Sequence, residues 1–134
     1  MIRFATINIE GHRHLDRVIP FLQKQSIQLF CLQEVFKEDI NLLAQALNAE
    51  SIFAPMSYTH QKLEDGNTFS GLCGIAILST FPIMSHEAHT YVGSDQNIPE
   101  WLTPNGTNRV LLNARIKEND QLWNIATTHF TWTK

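Results

Sequence analysis

Two segments near the start of the chain carry apolar residues in patterns typical of β-strands. Residues 2–8 (IRFATIN) place apolar side chains at a strand-like spacing, and Gly11 ends the pattern. Residues 28–34 predict a second strand, and its continuous apolar run Leu29–Leu32 indicates that both faces are covered, as in a central strand.

Two helices are predicted around the second strand. The first is expected to be capped by Asp16 and to end near Gln25, although Pro20 leaves its start uncertain. The second spans about Glu38–Leu47, with its apolar residues on one stripe. The chain therefore begins β-α-β-α, and a β-α-β unit implies a right-handed crossover between parallel strands.

The pattern changes after Asn48, where strands follow one another without a convincing helix. These strands are expected at residues 51–58, 73–79, 83–92, 109–117 and 121–130. Tight turns are predicted at Thr80–Pro82 and Glu118–Asp120. Two polar segments, Thr59–Ser70 and Gly93–Thr107, are expected to be long loops, which in compact domains are usually functional or mobile. The second part of the chain thus resembles a β-meander.

Composition and charge narrow the class of protein. The 134 residues are 43% hydrophobic and 17% charged, which is enough for one compact domain with a packed core. The net charge of -3 and the lack of a basic block weaken a general nucleic-acid-binding role. They do not exclude it, because a bound divalent metal can supply positive charge locally.

Cys31 and Cys73 lie in apolar runs and are expected to be small buried residues in a reducing compartment. The N-terminus shows no secretory signal, and no apolar run approaches the ~20 residues of a membrane span. A cytoplasmic protein without a membrane span is therefore expected.

Three polar residues stand where apolar strands end. Glu34 closes the buried second strand, Asn8 closes the first, and His129 follows the last apolar run. Ligands of open α/β sheets bind beyond the carboxyl ends of strands. Two adjacent parallel strands would bring Asn8 and Glu34 together, with Glu10 nearby. Carboxylate and carboxamide oxygens suit a hard cation, and a histidine there could contact a phosphoryl oxygen or act as acid or base.

Each of these residues alone also has a simpler interpretation. Glu34 could be a solvated carboxylate at a strand end, Asn8 could form an Asx turn ahead of Gly11, and His129 could bond a backbone carbonyl. The His12–His14 pair lacks further ligands at zinc spacing, and no phosphate-binding glycine loop or nucleophilic serine motif is present. Trp101, in a long loop, is the tryptophan best placed to touch a substrate.

Five short segments occur in an order that adds to this interpretation. They are Thr6–Gly11 (TINIEG), Leu32–Val35 (LQEV), Gly71–Ser79 (GLCGIAILS) followed by Pro82 and Ile83, Asn108–Leu112 (NRVLL) and Thr128–Phe130 (THF). Together they resemble the ordered motifs of the endonuclease/exonuclease/phosphatase superfamily, the DNase I-like proteins. Each motif is weak alone, and the ordered set spans nearly the whole chain.

The resemblance implies a four-layer α/β sandwich, of which residues 1–134 would be the N-terminal half. It implies hydrolysis of a phosphodiester or phosphomonoester by a metal-positioned water. Glu34 would bind Mg²⁺, or Mn²⁺ in its place, and Asn8 would complete the metal shell or orient a catalytic aspartate. His129 would be catalytic at the scissile phosphate, and Arg109 would bind the phosphate, although a surface ion pair is an equally good interpretation of Arg109.

The chain departs from the family pattern in lacking the later D-x-N segment and the terminal aspartate–histidine pair. The sandwich is therefore expected to be incomplete and the chain inactive alone, until a C-terminal half or a second copy completes it. The alternative is a truncated, non-catalytic relative that acts as a binding or interaction module. The expected substrate is a phosphate ester, with nucleic acid and nucleotides among the candidates.

Overall fold

Two β-sheets that pack face to face organise the chain, and the computed structural model describes residues 2–103 and 105–130. Within these residues the strands are β1 (Phe4–Asn8), β2 (Leu29–Phe36), β3 (Glu50–Lys62), β4 (Thr68–Ser79), β5 (Ile83–Val92), β6 (Arg109–Glu118) and β7 (Gln121–Thr128). The helices are α1 (Leu15–Lys24) and α2 (Ile40–Leu47), which follow short 3-10 turns at Gly11–His14 and Lys37–Asp39.

The first sheet, sheet A, has the strand order β1-β2-β4-β3, and the second, sheet B, has the order β5-β6-β7. β1 and β2 are parallel, as the β-α-β pattern predicts, and all other pairs of named strands are antiparallel. The turn at Thr80–Pro82 is present, but it carries the chain from one sheet to the other. β4 already pairs with β2 and β3, so it has no free edge for β5, and the meander is confined to sheet B.

Helix α1 begins differently from the prediction. Its N-cap position is His14, which makes no side-chain capping bond, and Asp16 lies inside the first turn. The predicted Asp16 cap is therefore wrong, because the preceding 3-10 turn already carries the chain into the helix. Pro20 lies within the helix.

Apolar side chains form one core on each face of sheet A. The helices pack on one face, where the buried set includes Leu22, Leu43, Phe30, Leu32 and Leu78. Sheet B packs on the other face, where the set includes Cys31, Ile75, Ile77, Leu112 and Ile116. The continuous apolar run of β2 is thus covered on both sides, as predicted. The described residues form three layers of the expected sandwich: helices, sheet A and sheet B.

The segment Thr59–Ser70 is not a loop, so this prediction is wrong. β3 and β4 continue as a paired ladder, with Thr59 opposite Gly71 and Lys62 opposite Thr68. Only the turn between them is irregular, and there the backbone N–H of Leu63 donates to the carbonyl of Asn67 at 2.8 Å. We call residues Thr59–Gly71 the hairpin arm. Its polar side chains lack an apolar alternation, because the arm extends beyond sheet B.

The second long segment, Gly93–Thr107, is a loop in its described residues, as predicted. Part of it docks on the outer edge of β3: Tyr58 donates its N–H to Pro99, and Trp101 donates to Tyr58, both at 2.8 Å. Asn108 anchors the base of the loop by donating from its side chain to the carbonyl of Ser94 at 2.8 Å. The loop is therefore fixed beside the hairpin arm. No helix of the described chain is long and apolar enough to cross a membrane.

Candidate active site

Two strands of sheet A have an irregular register at the same level, on either side of Gly74 of β4. β2 has an irregular register between Gln33 and Val35, which leaves Glu34 as the extra residue. β3 has a similar shift between Pro55 and Ser57. A side chain at residue 74 would collide with the carbonyl of Ala54, so glycine is required for this close approach. The paired bulges open a cavity beyond them.

Glu34 projects from its bulge in an unusual backbone conformation. Its φ is +55°, in the left-handed region that a side chain disfavours. The residues on both sides, Gln33 and Val35, are buried, whereas the Glu34 side chain is 36% exposed and lines the cavity. Strained residues of this kind cluster at functional sites, where surrounding structure holds them in place.

His129 lies directly beyond the end of β7 and faces Glu34. Its Nε2 is 3.7 Å from Oε1 of Glu34. Burial lowers the pKa of His129; the Glu34 carboxylate opposes this change, and the Arg109 guanidinium adds to it. The imidazole is therefore neutral at physiological pH, with one N–H to donate.

Arg109, the first residue of β6, lines the same cavity and is only 2% exposed. Its Nη1 donates to the backbone carbonyl of His129 at 3.3 Å. Arg109 is therefore a buried residue and does not lie on the surface. A buried guanidinium beside a histidine and a carboxylate suits an anionic ligand, because it presents several donors in a fixed plane.

The side chain of Gln33 connects β1, β2 and β7, and this residue was not among the candidates predicted from the sequence. Its side-chain Nε2 donates to Thr6 Oγ1 at 3.0 Å, to Thr127 Oγ1 at 3.2 Å and to the Cys31 carbonyl at 3.2 Å. These contacts tie β1, β2 and β7 together two residues before His129. The position of this glutamine in the LQEV motif was the signal that could have identified it.

Asn8 occupies the neighbouring strand end, opposite Gln33 in the β1–β2 register. Its Oδ1 accepts a hydrogen bond from the N–H of Glu10 at 2.9 Å, which is the Asx turn considered above. The residues that line the cavity include Glu34, Arg109 and His129 but not Asn8. Glu10 instead places its carboxylate 3.4 Å from Nε2 of His14.

The cavity is about 450 Å³ in volume and carries more positive than negative charge. Arg13, Lys62 and Arg109 line it, and Glu34 is the one carboxylate among its described lining residues. The local charge is thus opposite in sign to the net charge of -3. Such a cleft attracts anions, because low-dielectric walls concentrate the field.

The two cysteines differ in burial, and both have a raised thiol pKa. Burial raises the pKa of Cys31 to about 11, and burial together with the Glu34 charge raises the pKa of Cys73 to about 12. Cys31 is a buried residue as predicted, whereas Cys73 is only partly buried and lines the cavity. Both thiols are therefore protonated at physiological pH in the absence of a metal.

The donor set fits a magnesium ion better than a zinc ion. Within residues 2–103 and 105–130 there is no cluster of three histidine, cysteine, aspartate or glutamate side chains. His12 and His14 contact Asp39 and Glu10, respectively. Magnesium keeps several waters and needs only one or two carboxylates, together with substrate phosphate. Glu34 supplies one carboxylate of this kind.

The sequence profile of the Endonuclease/Exonuclease/phosphatase family matches residues 5–132, nearly the whole chain. The chain belongs to the endonuclease/exonuclease/phosphatase family. The sequence has no significant match among curated proteins. Several solved structures share the fold, which is therefore DNase I-like as the resemblance implied.

An endonuclease/exonuclease/phosphatase from Bacteroides vulgatus is 17% identical, with a TM-score of 0.67, over 97% of this chain and 52% of its own. A mannosyl-6-phosphatase from Bacteroides thetaiotaomicron is 14% identical, with a TM-score of 0.61. The match covers 98% of this chain and 52% of the phosphatase chain. The human Nocturnin catalytic domain, solved with a bound sulfate anion, is 21% identical, with a TM-score of 0.61. The match covers 97% of this chain and 49% of the Nocturnin domain. This family member spans about half the length of these structures.

Proposed function

We propose that the cavity is part of the active site of a divalent-metal-dependent phosphate-ester hydrolase. The observation that carries the proposal is the position of Glu34, held by its bulge 3.7 Å from His129 in a cavity that the buried Arg109 also lines. A carboxylate, a neutral imidazole and a guanidinium at one point are the groups needed to hold a cation and a phosphate.

Each residue has a separate role in this proposal. Glu34 binds Mg²⁺ or Mn²⁺, and the bound cation would supply a positioned water and neutralise phosphoryl charge. Arg109 binds nonbridging phosphate oxygens through its guanidinium N–H groups. His129, neutral because burial lowers its pKa, donates its N–H to an oxygen on which negative charge develops.

Asn8 takes a supporting role. Its Oδ1 already accepts from Glu10, which leaves one lone pair for a cation and the Nδ2 donors for an acidic group. Asn8 therefore completes the metal shell or orients a carboxylate that activates water.

The names of two structural relatives agree with this chemistry. One is a mannosyl-6-phosphatase, and another was solved with a bound sulfate. A phosphate ester is accordingly the substrate proposed for this chain, with nucleotides and nucleic acid as the candidates to examine first.

The test compares the wild-type protein, at its complete natural length, with Glu34→Gln. Hydrolysis of a chromogenic phosphodiester and of a phosphomonoester is measured with Mg²⁺, and Mn²⁺ binding is measured by electron paramagnetic resonance. Glu34→Gln should lower kcat/KM at least about 100-fold and weaken Mn²⁺ binding. The matched control is Glu64→Gln, which removes an exposed carboxylate outside the cavity and should change neither.

Equal hydrolysis in wild type and Glu34→Gln would remove the proposed role of Glu34. No hydrolysis and no Mn²⁺ binding by the wild type would favour the alternative of a non-catalytic binding module.

A further inference from the structure

The cavity is a groove that runs along β3 from the Glu34 bulge to Lys62, the last residue of the strand. Five residues of β3 beyond Met56 line it: Ser57, Thr59, His60, Gln61 and Lys62. Ser57 pairs with Cys73, one residue from the Gly74 level at which Glu34 bulges. At ~3.3 Å per residue, Lys62 lies roughly 17 Å further along the strand. This distance is too large for one phosphate group to span.

Two cationic residues line the far end of this groove. Arg13 of the first 3-10 turn donates from Nη2 to the backbone carbonyl of Lys62 at 3.3 Å, and both residues line the cavity. This contact brings the guanidinium to the last residue of β3. No carboxylate among the described lining residues lies beside them, since Glu34 belongs to the opposite end.

The turn that carries Arg13 is fixed against the hairpin arm by side chains. Gln61 accepts from the N–H of His12 at 2.9 Å and donates to the carbonyl of Glu10 at 2.6 Å. His12 Nδ1 is 2.8 Å from Oδ1 of the buried Asp39, and its ring stacks on Phe69 at 4.2 Å. Arg13 is thus held by a packed and hydrogen-bonded base.

Gly11 explains why the 3-10 turn can lie against β3 at its first residue. Its φ is +73°, and a side chain there would come within 2.6 Å of the Gln61 amide. Only glycine permits the close approach of the turn to β3.

An aromatic side chain stands between the two charged ends. Trp101 lines the groove and is 44% exposed, and its backbone is bonded to Tyr58 of β3 at 2.8 Å. Tyr58 lies just beyond Ser57, so the indole is nearer to the Glu34 end. Exposed indole rings offer a stacking surface to a base, a sugar or an apolar group.

We propose that Arg13 and Lys62 form a second anion subsite, which binds a phosphate group remote from the ester being cleaved. The substrate class is therefore a phosphate ester that carries another phosphate further along the groove, with a ring against Trp101 between them. This inference rests on the proposed function, because the Glu34 end must hold the first phosphate.

The test measures binding separately from hydrolysis. Fluorescein-labelled oligothymidylates of two, four, six and eight nucleotides are titrated with the protein in EDTA, and binding is followed by fluorescence anisotropy. A small bisphosphate, thymidine 3′,5′-bisphosphate, is used as an unlabelled competitor. Affinity should rise with length until the probe reaches both ends, and the bisphosphate should compete weakly.

The double variant Arg13→Gln/Lys62→Gln should bind the six- and eight-nucleotide probes about 10-fold more weakly and the two-nucleotide probe nearly as well as wild type. The slope of log affinity against log salt should fall by about 0.7 for the long probes, since one single-strand phosphate contact is lost. The matched control, Arg17→Gln/Lys24→Gln, removes the same charge from exposed positions of α1 and should change affinity less than 2-fold.

Equal losses for the two double variants would overturn the subsite, because the effect would then follow net charge alone. Strong competition by the small bisphosphate, abolished in Arg13→Gln/Lys62→Gln, would also overturn the separation of the two anion sites. The two experiments test the two proposals separately. Unchanged hydrolysis in Glu34→Gln rejects the proposed function, whereas unchanged anisotropy in Arg13→Gln/Lys62→Gln rejects only the subsite.

Discussion

The two halves of β4 differ sharply, although they belong to one continuous strand. Residues from Ile75 to Ser79 are all fully buried, between the helices on one side and sheet B on the other. Residues from Thr68 to Cys73 belong mainly to the hairpin arm and are mostly half-buried or exposed. Gly74 separates them, at the level where the bulges of β2 and β3 meet. The first half supplies rigidity, and the second supplies a surface for a ligand.

The largest effect that tests this division is on stability. Leu78→Ala removes a fully buried side chain from the helix-facing core and should lower the free energy of unfolding by about 2–5 kcal/mol. Leu72→Ala makes the same change six residues away in the less buried half of β4, next to the hairpin arm, where the side chain is only partly buried, and should cost roughly 1 kcal/mol. Urea unfolding at pH 7 measures both. Equal losses of stability would show that residues 68–73 of β4 are as much a part of the core as residues 75–79.

A smaller effect concerns the boundary itself. Glu34→Gly relieves a positive φ and should raise the free energy of unfolding by about 1 kcal/mol, while hydrolysis falls as in Glu34→Gln. Ser26, also at positive φ but outside the cavity, provides the control: Ser26→Gly should raise stability without changing hydrolysis. A loss of stability in Glu34→Gly would mean that contacts of the Glu34 side chain outweigh the backbone strain.

The smallest effect is on a proton equilibrium at the cavity. The pKa of His129, followed by its imidazole ¹H–¹³C NMR signals, should lie below the ordinary value of 6.5. It should fall further in Glu34→Gln, because the carboxylate raises it, and stay unchanged in Glu87→Gln, which alters an exposed strand of sheet B. The folded state binds fewer protons than the unfolded state between the lowered pKa and 6.5. Stability should therefore rise with pH across that window, and His129→Gln should abolish this contribution.

Local patterns in the sequence were sufficient to predict most of the strands and helices that form the buried core. β1, β2 and α2 have apolar spacings that one segment displays by itself, and the parallel β1–β2 pair follows from the intervening helix. The arm could not be predicted in this way. His60, Gln61 and Lys62 are polar on both faces of the strand, so only their pairing with residues 68–70 marks them as β-structure.

The candidate site shows the same limit. Glu34 was identified because the predicted strand 28–34 ends there, although β2 continues to Phe36. His129 was identified because it follows the last apolar run. The bulge that turns Glu34 into the cavity depends on strands β3 and β4, which the local sequence does not reveal. The meeting of Arg13 with Lys62 joins residues 49 positions apart. The net charge of the chain was therefore a poor guide to the charge of its groove.

The docked loop segment around Glu100 has a consequence for how the protein behaves in concentrated solution. It covers the outer edge of β3 with hydrogen bonds to Tyr58, while Asn108 donates to the carbonyl of Met56 at 3.0 Å. An uncovered strand of this length would be a template for pairing with other molecules. If this loop loosened to admit a bulky ligand, the backbone groups on the outer edge of β3 would become exposed. The entry of such a ligand and self-association therefore depend on the same backbone groups.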